Sequence, residues 1–312
     1  MVFPLRIASF LGLTFISTWS IAGLGAYAGI RADSGLSYML LAAACMLMPA
    51  LSAIVQQRLI ERAPWSGLGL SFGNVDRSKL VLTIAIGAAI IPTVFLVQFV
   101  LGDVCGVAAF GHVSISSEHM LAALESLLRA SGKEGMVDMM RASMSGVPAG
   151  VVLLGGMLVA IVAACTANLP FMLGEELGWR GYLFQATSTW SALSRVLFTG
   201  VIWGLWHTPL ILMGHNYPGH PFVGIPLMVV FCTLLAFLFD WSRTRVKAVW
   251  GPCVLHGIIN GSAGLFVLFA GEGHPLVASP VGVTGFIALA LLLTIVLWLD
   301  GGYRADLVRA AA

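Results

Sequence analysis

The sequence predicts an all-α, polytopic membrane protein with about eight transmembrane helices and a polar cavity formed by its later helices. Of its 312 residues, 59% are hydrophobic and 10% are charged, and the mean hydropathy is +0.95. Soluble globular domains carry about 25% charged residues, so this composition excludes that class. Acidic and histidine residues enter only the later apolar runs. Because such residues are costly in lipid, they predict a shared polar interior.

Eight apolar runs have the length of about 20 residues that crosses a bilayer. In chain order they are Ile7–Ile30, Leu36–Val55, Leu80–Leu101, Ala149–Leu173, Ser194–Met213, Phe222–Asp240, Ala248–Ala270 and Val281–Leu299. The first resembles a signal peptide, with a cleavage-like Ala-Tyr-Ala at residues 26–28. Its apolar part is longer than a signal-peptide core, which favours a retained helix.

Lysine and arginine placement predicts the orientation of these runs. With the N-terminus inside, 12 of the 16 Lys and Arg residues lie in inside segments, so both termini are predicted to be cytoplasmic. We treat residues 1–312 as a single transmembrane domain. Residues 102–147 form its extracytoplasmic loop, in which Met120–Met144 is predicted to be an amphipathic helix on the outer surface. The net charge of +2 gives no indication of nucleic acid as a partner.

The most unusual stretch is Leu-Gly-Glu-Glu-Leu-Gly-Trp-Arg-Gly at residues 173–181, directly after the fourth apolar run. In a helix, Glu176 and Arg180 are i,i+4 neighbours and can form an ion pair. Glu175 lies about 100° away around the helix and lacks that partner. The stretch therefore predicts one carboxylate held by an arginine and one aimed elsewhere, both at the cytoplasmic end of the fourth helix.

Two later runs carry polar groups at the same helical spacing. Trp203 precedes His207 by one turn, and His256 precedes Asn260 by one turn. Either histidine alone is also typical of hydrogen bonding between membrane helices, and a buried Glu–Arg pair is more often structural than catalytic. Three such faces together predict that Glu175, His207, His256 and Asn260 meet in one cavity, nearer the cytoplasmic side.

This set of residues permits two chemistries. A carboxylate and a histidine that share a water can activate it, and His256 and Asn260 can donate hydrogen bonds to an oxyanion. Alternatively, Glu175, His207 and His256 can ligate one divalent metal, of which zinc fits best. A metal-bound histidine needs an acceptor for its other ring nitrogen, and the neighbours of His207 in sequence offer few. That argument favours metal-free catalysis slightly and leaves the cofactor open.

The motifs Glu-Glu-x-x-x-Arg, aromatic-x-x-x-His and His-x-x-x-Asn, at residues 175–180, 203–207 and 256–260, resemble those of the CPBP (ABI) family. This family comprises CAAX prenyl protease 2-like and bacteriocin-processing intramembrane proteases. The resemblance covers about residues 150–270, taken as the catalytic core. It implies that Glu175 and His207 activate water and that His256 and Asn260 form the oxyanion site, supported by Glu176, Arg180 and Trp203. The family usually has Phe where this chain has Trp203, a change that leaves an aromatic ring in place.

The resemblance implies an intramembrane endopeptidase that acts on membrane-associated peptides or proteins, in the plasma (inner) membrane if the source is bacterial. Two alternatives remain: an ion-coupled transporter with a Glu/His proton relay, and a non-catalytic immunity or scaffold protein. Prenylated substrates are typical of eukaryotic members and are not assumed for this chain. The sequence does not determine the oligomeric state or the cleavage site.

Overall fold

The computed structural model describes residues 4–309 and is helical almost throughout. Its α-helices are α1 Leu5–Tyr27, α2 Leu36–Ile54, α3 Arg77–Gln98, α4 Ser117–Ala130, α5 Val137–Met144, α6 Ala149–Cys165, α7 Leu169–Glu176, α8 Phe184–Ala186, α9 Ala192–Trp206, α10 Thr208–Leu212, α11 Pro221–Val246, α12 Trp250–Phe269, α13 Val283–Leu299 and α14 Gly301–Val308. Wider π-helical turns are Val55–Ile60, Phe99–Val104 and Leu177–Leu183, and 3₁₀ turns are Trp65–Leu68, Ala108–Phe110 and Glu134–Met136. Two short strands, β1 His112–Val113 and β2 Ala270–Gly271, pair antiparallel.

Six of the described helices are long and apolar enough to cross a membrane on their own. They are Leu5–Tyr27, Leu36–Ile60, Arg77–Val104, Ala192–Leu212, Pro221–Val246 and Trp250–Phe269. Two sharply bent helix pairs, with bends of 105° and 103°, raise the number to eight if each pair counts as one span. The predicted fold class, a multi-pass all-α membrane protein, is therefore confirmed. The kind of membrane and the orientation in it stay predictions.

The fourth predicted run is broken where the sequence analysis expected one helix from Ala149 to Leu173. Helix α6 ends at Cys165, and α7 begins at Leu169 with Pro170 in its first turn. Proline suits a helix start because it has no N–H to leave unpaired there, but it cannot continue a helix from the preceding turn. The break makes α7 a separate short helix that carries both glutamates.

The predicted amphipathic helix Met120–Met144 is also divided. Helix α4 ends at Ala130, and Gly132 follows with a φ of +67° that turns the chain before α5. Glycine adopts this left-handed conformation without strain, so the chain reverses there. Met120 is buried against Phe95 and Phe269, which fixes α4 to the ends of α3 and α12.

The connections between helices lie on two opposite faces. One face, here the loop face, contains residues 28–35, 105–148, 213–220 and 270–282. Its segments are linked by hydrogen bonds from Ala32 N to Met213 O and from Tyr217 Oη to Val281 O. The other, here the basic face, contains residues 61–76, 184–191, 247–249 and 300–309, and an example of its contacts is Val249 N to Gly69 O.

Candidate active site

The glycines of the motif fix the direction of its two carboxylates. Gly174 and Gly178 lie one turn apart and press against α2. A Cβ at Gly174 would lie 2.7 Å from the carbonyl oxygen of Met46, and one at Gly178 would lie 2.5 Å from Cβ of Pro49. Any larger residue would separate the two helices. Because this face is used for packing, Glu175 and the residue after it are directed into the bundle.

Glu176 is saturated by two partners. Its carboxylate accepts from Arg180 Nη1 at 3.0 Å and from His256 Nδ1 at 2.9 Å, and both Glu176 and Arg180 are buried. The Arg180 guanidinium also stacks on the rings of Trp203 and Phe239, 4.4 and 4.5 Å from their centroids. The predicted Glu176–Arg180 pair is present, although the arginine lies in a π-helical turn, a local widening that is frequent at functional sites.

Glu175 has a different environment. Its Oε2 accepts a hydrogen bond from Trp203 Nε1 at 2.9 Å. Its Oε1 has no hydrogen-bond partner among residues 4–309, and the residue lines an internal cavity. Trp203 therefore has a role that phenylalanine could not fill, since only the indole has an N–H to donate. The departure from the family pattern affects the carboxylate directly.

His207 lies at a helix break that Pro209 causes. Pro209 has no N–H for the carbonyl of Leu205, and the Thr208 hydroxyl donates to that carbonyl instead, at 2.7 Å. His207 Nδ1 lies 2.8 Å from the backbone oxygen of Trp203. A carbonyl oxygen only accepts, so Nδ1 carries the proton and Nε2 keeps its lone pair.

The backbone oxygen of Trp203 corrects one step of the sequence analysis. Few acceptors were expected beside His207, but a backbone carbonyl one turn earlier serves as one. Likewise, His256 Nδ1 donates to Glu176. Both histidines thus have the outer partner that metal-bound histidines normally have, and the argument against a metal from missing partners is wrong.

The metal site itself does not form in this arrangement. Across residues 4–309, no three His, Cys, Asp or Glu side chains are placed to hold a metal ion. Glu175, His207 and His256, the three candidate zinc ligands, are therefore not arranged as a ligand set.

One cavity of about 340 Å³ collects the four predicted residues. Glu175, His207, His256 and Asn260 all line it, among mostly apolar side chains. Asn260 makes only a weak contact from Nδ2 to the sulfur of Met172, at 3.7 Å, so its amide remains available to a ligand. The predicted meeting of three helical faces is thus present.

The extent of the cavity differs from the expectation. It was predicted to lie nearer the cytoplasmic side, to which the orientation prediction assigns the basic face, but its lining continues to His215, Asn216, Pro280 and Val281 in the connections of the loop face. After α10 ends at Leu212, the chain turns at Gly214 and Asn216, which have φ angles of +101° and +59°, and this connection gives the cavity its second end.

The sequence analysis did not include His215 among the site residues. The signal that could have found it is the Gly-His-Asn turn at residues 214–216, directly after a proline-broken helix and eight residues beyond His207. Burial lowers the pKa of His215 to about 4, so its imidazole is neutral at neutral pH.

These features define a class: a polytopic helical membrane protein with a buried Glu/His/Asn cavity. Comparison with known proteins indicates which family of membrane proteins this chain resembles. Residues 150–262 match the family "Type II CAAX prenyl endopeptidase Rce1-like". A stretch of 44 residues is 46% identical to a protein of Methanococcus maripaludis named CAAX prenyl protease 2, covering 14% of this chain and only 16% of that protein's length. The family resemblance is confirmed over residues 150–262, which include all four cavity residues.

Proposed function

We propose that the chain is an intramembrane endopeptidase that hydrolyses peptide bonds of membrane-associated peptides or proteins with a water activated by Glu175 and His207. The observation that carries the proposal is the free Oε1 of Glu175 on a cavity that His207 and Asn260 also line. A buried carboxylate with an unpartnered oxygen on a cavity is costly to keep, which favours a functional role. The match to the endopeptidase family over residues 150–262 supports the same reading.

In the proposed reaction, a water sits between Glu175 Oε1 and His207 Nε2, each accepting one of its hydrogens. Glu175 takes a proton as the water oxygen forms a bond to the peptide carbonyl carbon. The resulting oxyanion accepts a hydrogen bond from Asn260 Nδ2. The C–N bond then breaks, and the proton held by Glu175 passes to the leaving amine, which restores the carboxylate.

The role of His256 depends on its protons. Its Nδ1–H is donated to Glu176, so a neutral ring has no hydrogen on Nε2 to offer an oxyanion. A protonated imidazolium ring has a hydrogen on Nε2. Its positive charge would also bring the summed charge of Glu175, Glu176, Arg180 and His256 to zero. Buried charges persist when they are paired in this way. We therefore assign His256 as a cation that steadies Glu176 and donates from Nε2.

No step of this scheme passes through a metal, because the candidate ligands do not form a set. Activity should survive exhaustive chelation, and active protein should contain substoichiometric zinc. Loss of activity on chelation, restored by zinc, would show instead that Glu175, His207 and His256 rearrange to bind it.

The central experiment incubates the purified protein in detergent with an equimolar peptide library and detects new peptide termini by mass spectrometry. A second library carries farnesylated cysteines, since the related protein is named a prenyl protease. Wild type should cleave, and Glu175→Gln should lose at least about a hundredfold in rate, the range of a general base, with an unchanged melting temperature. Glu134→Gln, an exposed carboxylate on the loop face, is the matched control.

The outcome also separates the alternatives. If wild type cleaves no peptide in either library, the endopeptidase proposal is wrong, and proton-coupled transport or a non-catalytic role takes its place. If Glu175→Gln cleaves like wild type, the chain is a protease but another group activates the water.

A further inference from the structure

The cavity has a second polar end that the proposed reaction does not use. His215 lies in the Gly214–His220 connection, partly exposed, and lines the cavity together with Asn216. Its ring nitrogens have no hydrogen-bond partner within the described part of the chain. The ring packs beside Tyr38, with centroids 6.0 Å apart, and the buried Tyr38 hydroxyl also lacks a partner there. Tyr38 does not line the cavity, whereas His215 does, so the unpartnered ring nitrogens of His215 are the groups available to hydrogen-bond a ligand there.

The backbone holds His215 firmly in this place. The residue lies between Gly214 and Asn216, which have φ angles of +101° and +59°. Its own N–H donates to Leu210 O at 3.0 Å. The next residue but one, Tyr217, is buried and donates its hydroxyl to Val281 O at 2.7 Å, which ties the turn to the opposite wall of the cavity.

The chemistry of the imidazole limits what it can bind. Because burial keeps His215 neutral at neutral pH, the ring offers one N–H donor and one lone-pair acceptor. That pair matches the N–H and C=O of a peptide main chain. A free carboxylate or phosphate fits less well, since it would need a cation here. Apolar side chains such as Ile90, Phe231 and Ile259 line the cavity wall and suit the side chains of the same peptide.

We infer that His215 is a substrate-binding residue that hydrogen-bonds to the peptide main chain on the side of the scissile bond that extends towards the loop face. The inference rests on the proposed function and names a subsite within it. Glu175, His207 and Asn260 act on the reacting carbonyl, while His215 fixes the register of the chain beyond it.

The test compares His215→Phe with wild type on the best-cleaved library peptide and on versions shortened one residue at a time from each end. Phenylalanine keeps the ring beside Tyr38 but removes both hydrogen-bonding atoms. The variant should lose about tenfold in kcat/KM, mainly through KM, as expected for one lost hydrogen bond. This loss should disappear when one particular end is shortened and persist when the other is. If His215 had only a structural role, the loss in kcat/KM would be the same for peptides of every length.

Three controls accompany this variant. His220→Phe changes a histidine of the same connection whose ring packs on His274 outside the cavity lining, and it should behave like wild type. His215→Gln has a donor and an acceptor and should recover most of the loss. Melting temperatures of all variants confirm folding.

A binding measurement separates the inference from the proposed function. Peptide affinity is measured by fluorescence anisotropy on Glu175→Gln protein, with and without His215→Phe. A roughly tenfold weaker Kd supports the inference whether or not cleavage is seen. An unchanged Kd overturns it and leaves the endopeptidase standing if wild type cleaves. Peptides that are neither bound nor cleaved overturn both.

Discussion

Two clusters of charged side chains in this protein look alike in composition and differ in whether every carboxylate oxygen has a hydrogen-bond donor. At the basic face, Asp240 is held by both nitrogens of a fork from Arg195 at 2.8 and 3.1 Å and by the Tyr303 hydroxyl. Asp300 is held in the same way by Arg245, at 2.7 and 3.0 Å, and accepts from Tyr303 N. Every oxygen of these two carboxylates has a donor.

The cavity cluster contains one carboxylate whose oxygens all have hydrogen-bond donors and one carboxylate with an oxygen that has none. Glu176 is closed by Arg180 and His256, like the aspartates of the basic face. Glu175, its neighbour in sequence, has one donor from Trp203 and one oxygen left on the cavity. A saturated carboxylate stabilises the fold, whereas a carboxylate with a free oxygen can accept a proton from a ligand. The number of donors, more than burial, thus distinguishes structural from reactive acids in this chain.

The strongest test of the comparison replaces the closed carboxylate of the cavity. Glu176→Gln should lower the free energy of unfolding by about 3–5 kcal/mol, because Arg180 and His256 lose their anionic partner in the interior. Expression level and thermal melts in detergent measure this effect. Glu175→Gln is the matched control and should melt like wild type. The opposite order of melting temperatures would mean that the assignment of structural and reactive roles is reversed.

The second test concerns the closed cluster at the basic face. The Arg245 hydrogen bonds, supported by Tyr303 N and Trp241 Nε1, hold the pKa of Asp300 well below its usual range. A carboxyl whose pKa is lowered by folding contributes stability above its unfolded pKa of about 3.9 and loses it as the pH falls through that value towards the folded pKa. Asp300→Asn should therefore lower stability on the order of 2 kcal/mol at pH 7.

The pH dependence provides the control for this variant. Melts from pH 7 down to pH 3 should show the gap between wild type and Asp300→Asn closing in acid, while activity per folded molecule stays near wild type. A gap that is constant with pH would mean that packing, and not the ion pair, is lost.

The third test sharpens the description of Glu175. Trp203→Phe keeps a ring beneath Arg180 but removes the indole N–H that holds Glu175 Oε2. With both oxygens free, the carboxylate should sample orientations away from the water. We expect about a tenfold fall in kcat with little change in melting temperature, as for one lost hydrogen bond to a catalytic group. A wild-type kcat would show that the wall of the cavity alone positions the carboxylate.

Much of the site could be predicted because its residues follow simple spacing rules. The Glu176–Arg180 pair and the helical faces of His207, His256 and Asn260 depend on i,i+4 geometry, which holds even where the helix widens into a π turn. Their common direction follows from the cost of polar groups in lipid. These arguments need no knowledge of how the helices are arranged.

The remaining features depend on tertiary structure. That the backbone oxygen of Trp203 accepts from His207 cannot be read from side-chain identity, because any residue offers a carbonyl. The helix breaks at Pro170 and Pro209 fall inside runs that are apolar overall, so hydropathy counts each run as continuous. His215 reaches the cavity from a connection between two helices, and hydropathy does not show which connections fold against the bundle.

The smallest expected effect concerns Cys232, a thiol that lines the cavity with Sγ 4.0 Å from His207 Nδ1. A cysteine beside a histidine is also the arrangement of a nucleophilic pair, which would make Glu175 a bystander. The proton of Nδ1 is already donated to Trp203 O at 2.8 Å, so this nitrogen has no lone pair to take the thiol proton. Cys232→Ser should accordingly keep kcat within about twofold of wild type, and no covalent acyl-enzyme should be seen by intact mass spectrometry after rapid quenching. A loss of more than a hundredfold, together with a trapped thioester, would move the reaction from the free oxygen of Glu175 to the thiol. The contrast between open and closed carboxylates would then no longer explain the activity.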